Sequence, residues 1–486
     1  MTELLLRDAE LDGCVHTDMR RADMRLADVR ARADMRLADV RLADGRIVEI
    51  GPALPHRRAA QVLECRGGAL LPGLCDHHLH LHALAARARS VSCGPPAVCD
   101  AAGLAAALAA APADERGWIR GVGYVESVAG DLDATTLDRL HGTRPVRVQH
   151  RSGALWMVNS AAAERLDLAA GAHPGIERDG RGAPTGRLWR ADDWLRARLP
   201  VTGPPDLAPV GKLLARMGVT AVTDATPDLD TAALEAITAA VGTGALPQRV
   251  HLLGAPLGWS APDGTGVTTG PYKIVLADSA LPDLDALTEQ IRAVHAAGRA
   301  VAAHCVTREA LVLLLAAVTE TGARPGDRIE HASLVPAELV GELARHRLAV
   351  VTQPGFLADR GEDYLRDVPG TEHADLYRCR SLLAAGVPLA LSSDAPYGPV
   401  DPWAVITAAV ARRSRSGRVV GPAERLTPAQ ALAAYLADPD DPGGRPRAVR
   451  PGAPADVVLL EVPLAQALAS PDAGLVRTVI VGGRVV

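Results

Sequence analysis

Only two of the 52 basic residues are lysines, Lys212 and Lys273, and phenylalanine occurs once, as Phe356. In a chain rich in alanine, arginine, glycine and proline, this is the mark of a coding bias that places arginine wherever charge alone suffices. A lysine that survives the bias is a candidate for a task that needs the amine itself. A Cys-x-x-Cys pair is also missing: the seven cysteines (14, 65, 75, 93, 99, 305 and 379) are odd in number and scattered. Reduced thiols fit this better than a disulfide framework or a Cys-rich zinc site, so any metal would be held by histidine and carboxylate. There is no positive excess either: the net charge of −5 gives no general attraction to nucleic acid or to an anionic membrane. No stretch stays apolar over the roughly eighteen residues of a membrane span. The opening MTELLLRDAELDG carries acidic residues and no long apolar run, unlike a secretory signal. The expectation is a cytoplasmic protein that acts on a small molecule, without nucleic-acid or membrane partners; a homo-oligomer is compatible with it.

What is present is a long alternating pattern. The 486 residues suffice for two or three domains, or for one large barrel with additions. Short β-rich runs occur at 68–81, 218–225, 248–255, 272–278, 299–305, 328–333, 347–353 and 387–394. Between them lie segments such as LDALTEQIRAVHAAG and REALVLLLAAVTETG, with helical periodicity and glycine stops. Eight β-α units predict an α/β protein whose parallel sheet closes as a (β/α)8 barrel. The termini read differently. ELLLRDAEL and VRLADGRIVEIG at one end, and ADVVLLEV and VRTVIVGGRVV at the other, read as short strands with Asp-Gly and Gly-Gly turns. They predict one small β domain from residues 1–67 and 445–486. The barrel is then assigned to 68–85 and 206–444, with an inserted subdomain at 86–205, because that gap is far longer than one β-α unit needs. The nonapeptide ADMRLADVR stands twice, at 22–30 and 33–41. Two copies are fewer than a repeat fold requires, so this reads as a duplication that lengthens surface hairpins.

In such barrels the chemistry sits where strands end. Five of the eight runs end in ligand-type residues: His78 and His80, Lys273, His304, His331 and Asp394. Because strand side chains alternate, His78 and His80 share a face that can grip one ion, and His77 faces the other way. His82 has the right parity, but ALAARAR after it indicates that the strand has ended. By the same alternation Glu330 points away from His331 and reads as scaffold.

At this point the sequence resembles a known family. PGLCDHHLH is similar to the P-G-x-x-D-x-H-x-H strand of the amidohydrolase superfamily, metal-dependent hydrolases built on a (β/α)8 barrel flanked by a small β-sandwich made from both termini. RIEHAS, LSSDAP, NSAA, PTGRL and the closing PADVVLLE and VRTVIVGGRVV resemble the amidohydrolase 3 branch, which includes N-substituted formamide deformylases. The resemblance implies hydrolysis of amide-type C–N bonds in small amides, formamides or cyclic amides, by a metal-activated water. It implies Zn2+ or another divalent metal, as one or two ions. His78 and His80 would bind the first ion, and Lys273, carboxylated by CO2, would bridge two. His304 and His331 would bind the second, and Asp394 would ligate the first while serving as the catalytic base.

The sequence departs from that branch where substrate would be held. The Asp-Gly-Ser-Leu-Gly loop usual after the strand-four lysine is replaced by KIVLADSALPDLDAL, which runs almost directly into a helix. A Gly-His expected before the tryptophan reads Gly153-Ala154, leaving His150 as a substitute. His150, Trp156, Gln353 and Tyr397 are the substrate-binding candidates, with Trp259 a further pocket candidate. Two other functions compete: a mononuclear deaminase of heterocycles, for which Glu309 would be the proton shuttle, and a non-catalytic scaffold. Lys273 argues against the first, and the full ligand set against the second.

Overall fold

The computed structural model describes residues 3–11, 36–57, 60–112, 114, 116–199 and 203–486. They form two compact units, Met1–Leu81 with Leu207–Val486, and His82–Asp206.

Among the described residues the first unit has nine parallel strands in two sheets, one of them Val267–Thr269 and the other eight β1 (Leu74–Leu79), β2 (Val219–Asp224), β3 (Arg249–Leu252), β4 (Tyr272–Val275), β5 (Val301–Cys305), β6 (Arg328–His331), β7 (Ala349–Thr352) and β8 (Leu389–Leu391). They are short and nearly all buried, as expected of parallel strands covered on both faces. One sheet runs in the order Val267–Thr269, β3, β2, β1, and a second in the order β4, β5, β6, β7, β8. At one seam Lys273 N–H donates to Leu253 O at 3.2 Å. At the other, Asp394 N–H donates to His78 O and His80 N–H to Ala395 O, both at 2.8 Å.

Three of the helices between strands start where the sequence supplies a cap. Asp230, Asp283 and Thr307 accept from the third backbone N–H of helices Thr231–Gly242, Leu284–Ala296 and Arg308–Thr321. The last of these stops at Gly322, whose φ of +75° suits a residue without Cβ.

The chain ends build two further four-stranded sheets. One is ordered Arg46–Gly51, Arg36–Ala43, Glu3–Leu11, Ala60–Glu64, and the other Arg484–Val485, Val476–Val481, Val457–Leu460, Leu70–Pro72. One hydrophobic cluster draws on both: Leu4, Leu6, Val40 and Leu42 pack with Leu70, Val457, Leu459 and Ile480. Asp44-Gly45 and Gly482-Gly483 take positive φ at all four positions, the geometry of tight hairpins that follow the strand twist. Of the duplicated nonapeptide, the first copy lies outside the described residues. The end of the second lies in strand Arg36–Ala43, with Val40 and Arg41 fully buried.

The second unit is a six-stranded sheet, ordered Ile176–Arg178, Pro184–Trp189, Leu155–Val158, Val146–His150, Ile119–Tyr124, Val91–Ser92. Two apolar clusters pack on it, one around Leu104, Ile119 and Val148, the other around Trp118, Trp156 and Leu188. Among the described residues no helix is long and apolar enough to cross a membrane.

Candidate active site and metal centre

The site is built around Asp394, three residues beyond the end of β8. Its Oδ1 lies 3.5 Å from His78 Nε2 and 3.2 Å from His80 Nε2, and its Oδ2 lies 3.9 Å from His331 Nδ1. The imidazole rings crowd together: His78 and His331 have centroids 4.7 Å apart, and His304 and His331 4.4 Å. His78, His331 and Asp394 each present a ligand-type atom within 4.8 Å of the others, and all three are buried. Lys273 is also buried, and its charge is felt by His78 and His331.

Two of these residues adopt backbone conformations that a plain strand would not give them. Asp394 has φ +54° and His331 φ +74°, followed by Ala332 at +46°. Such strain persists where the surroundings hold it, typically at functional sites. At Asp394 the hold is visible. Its N–H bonds to His78 O, and the Asp76 carboxylate accepts from the N–H of His78 at 3.2 Å and of Ser393 at 3.1 Å, tying the end of β1 to the end of β8. Burial pushes the Asp76 carboxyl up to about 7.

Three of the imidazoles, those of His78, His80 and His331, are oriented through Nδ1. Nδ1 of His78 bonds Glu330, Nδ1 of His80 bonds Thr226 Oγ1 at 3.0 Å, and Nδ1 of His331 bonds Gln353 Oε1 at 2.9 Å. Thr226 is set by Asp224, which accepts from the Thr226 N–H at 3.0 Å and the Leu81 N–H at 2.7 Å. Gln353 is set by Ser392 Oγ at 2.9 Å. Meanwhile His78 Nε2 and Asp394 Oδ1 are buried with no hydrogen-bond partner among the described residues. Orphaned acceptors beside oriented imidazoles are what a divalent cation would satisfy, so the donor set fits a metal ion. The electrostatics agree. Burial holds His78 and His331 well below the ordinary imidazole range, so both are neutral and can donate lone pairs. Burial likewise lowers Lys273, against the opposing pull of the Glu330 and Asp394 carboxylates.

The other candidates are placed as follows. Gln353 is buried and engaged with His331, and the Tyr397 ring lies 5.4 Å from that of His80. His150 and Trp156 belong to the second unit. There His150 bonds Ser152 Oγ at 2.7 Å and Glu126 at 3.3 Å, and the buried Trp156 donates its indole N–H to Asp192 at 2.8 Å. His82 lies in helix Leu81–Ala88, past the strand. Glu309 is exposed on the first turn of helix Arg308–Thr321. Glu330, expected to be scaffold pointing away from His331, bonds His78, and because the chain leaves the extended conformation at His331, Glu330 and His331 both reach His78.

His77 is the natural control for the strand. Its Nδ1 lies 3.7 Å from Cys75 Sγ, and burial lowers its pKa to about 3. His78→Ala or His80→Ala should lose both metal and activity, whereas His77→Ala should keep its metal, as measured by elemental analysis of the purified variants. Equal metal loss in all three would show that the division of the strand between site and packing is wrong.

Residues 61–486 match the amidohydrolase family, and the chain belongs to it. It is accordingly a hydrolase acting on carbon–nitrogen bonds other than peptide bonds. It is similar to the N-substituted formamide deformylase of Arthrobacter pascens, 28% identical over 82% of this chain and 85% of that protein. It is also similar to the putative amidohydrolase YtcJ of Bacillus subtilis, 25% identical over 72% of this chain and 75% of that one. Among solved structures, an uncharacterized metal-dependent hydrolase from Pyrococcus horikoshii OT3 aligns with a TM-score of 0.73 at 18% identity, over 100% of both chains. N-isopropylammelide isopropylaminohydrolase from Burkholderia multivorans aligns at 0.54 and 17% identity, over 100% of this chain and 98% of that one. At these identities the structural likeness speaks for the fold.

Proposed function

We propose that the protein is a metal-dependent hydrolase of amide-type C–N bonds in small molecules, with formamides the first class to try and cyclic amides the second. The observation that carries this reading is the buried Asp394 Oδ1, without a hydrogen-bond partner and within 3.5 Å of two imidazole nitrogens. One similar protein, an N-substituted formamide deformylase, supports it. In this reading His78 and His80 would hold one divalent ion, Zn2+ or another, and His304 and His331 a second, with Lys273 as a carbamate ligand. When bound, the metal supplies Lewis acidity that polarises the substrate carbonyl and brings a water's pKa toward neutrality. Asp394 takes the proton released by the attacking water and returns it to the departing nitrogen. Thr226 and Gln353 keep the His80 and His331 imidazoles aimed.

The fold belongs to the same proposal. The two parallel sheets are read as parts of one (β/α)8 barrel, with the seam hydrogen bonds at Lys273 and Asp394 in support. The terminal sheets form the flanking sandwich, and His82–Asp206 is the insertion. The deaminase alternative is weaker, because Glu309 is exposed and Lys273 is buried with the site.

The test is metal analysis of the purified protein, followed by assay of formamides, N-acyl amino acids, cyclic amides and aminopurines. Formate or another carboxylate product is expected. Ammonia from the heterocycles alone would overturn the reading in favour of deamination.

A further inference from the structure

Beneath His78 lies a chain of charges that the reaction itself does not use. Arg328 and Glu330 stand two apart on β6, on one face, and are 2% and 0% exposed. Arg328 Nε donates to Glu330 Oε1 at 2.5 Å, and Glu330 Oε2 bonds His78 Nδ1. Arg328 Nη2 also donates to the backbone carbonyl of His77 at 3.3 Å. One guanidinium therefore grips β1 twice, through its backbone beside His78 and through the carboxylate that holds the His78 ring.

We infer that Arg328 and Glu330 are positioning residues that set the metal affinity of His78. The inference rests on the metal-centre reading above. A carboxylate accepting from Nδ1 places the ring proton there and leaves the Nε2 lone pair directed toward Asp394, 3.5 Å away. It also fixes the ring's rotation and makes the imidazole a stronger donor. A buried carboxylate needs a counter-charge, and Arg328 supplies it through a directed hydrogen bond. The segment Arg328-Ile329-Glu330-His331 would then serve the centre twice, with His331 as a direct ligand and Glu330 as the brace of a ligand on another strand.

The experiment measures the Zn2+ dissociation constant by competition with a chromophoric chelator, together with the visible ligand-field spectrum of Co2+-loaded protein and the thermal midpoint of the apo form. Glu330→Gln should bind Zn2+ about 10–100-fold more weakly and show shifted Co2+ bands. Because that variant leaves Arg328 buried without its partner and can misfold, Arg328→Met combined with Glu330→Gln serves as the second variant. It removes both charges at similar volume, a change that buried pairs often tolerate. The double variant should melt cooperatively yet keep the weakened Zn2+ affinity. A folded double variant with wild-type affinity and spectrum would overturn the inference and leave Glu330 a packing residue. Wild-type protein that takes up no Zn2+ or Co2+ would instead overturn the metal-centre reading beneath it.

Discussion

Lys273→Arg should lose at least one metal ion per chain and most of the activity, although it keeps the charge and nearly the length of the native side chain. Lys273 is buried beside His78, His331 and Asp394, and burial drives its ammonium toward the neutral amine. A neutral amine can attack CO2: the nitrogen lone pair forms the N–C bond as one C=O π pair moves onto oxygen, the nitrogen releases one proton to solvent, and the product is a carbamate anion with two oxygens. Such an anion can span two ions at the roughly 3.5–4 Å separation of two-metal sites. Arginine stays protonated and offers only donors, so it repels a cation where the carbamate would hold one. Lys273→Ala clears the space instead, and a short carboxylic acid in the buffer should partly restore its metal content. Bicarbonate should accelerate metal uptake by the wild-type apo-protein. Elemental analysis and a crystal structure at Lys273 decide the matter. An unmodified amine in a fully loaded, active enzyme would defeat the carbamate and favour a single ion.

The contrast between the two lysines shows how far composition could be read. Both survive the bias toward arginine, yet Lys212 lies exposed on helix Ala208–Arg216, where any cation would serve. Rarity therefore points to Lys273 only when combined with its place in a strand. The alternation of β1 was more informative: His78 and His80 do converge on one carboxylate oxygen. Their supports were not legible, because Thr226, Glu330 and Gln353 come from three different strand ends and meet their histidines only in the folded chain. At His331 the rule itself gave out. A residue at φ +74° breaks the two-residue period, and nothing in RIEHAS announces that the extended conformation stops there. In the second unit, tryptophan and histidine residues suggested recognition. Trp156 lies in an apolar cluster with its N–H bonded, and the pattern of its strand alone does not distinguish packing from a ligand contact. The β-α rhythm was the most legible feature, since the strands carry a local signal in apolar runs and several helices one in their caps, such as Asp230, Asp283 and Thr307.

For Asp394→Asn the expected result is a kcat lower by about 10²–10⁴, with much of the bound metal retained. Asparagine matches the shape of aspartate and keeps one oxygen that can face a cation, so the loss in metal binding should be modest beside that of a histidine-to-alanine variant. What it cannot do is accept a proton. The backbone around position 394 should survive the change, since the Asp394 N–H bond to His78 O and the Asp76 bonds to His78 and Ser393 do not involve the Asp394 side chain. Left-handed φ is also well tolerated by asparagine, so the value of +54° adds no strain. The variant therefore separates proton transfer from architecture. Single-turnover kinetics at matched metal content would show the loss in the chemical step, with KM little changed. An asparagine variant of near-normal kcat would remove Asp394 from the proton transfer and leave it a ligand alone, in which case the base must be sought among groups that reach the substrate from elsewhere in the site.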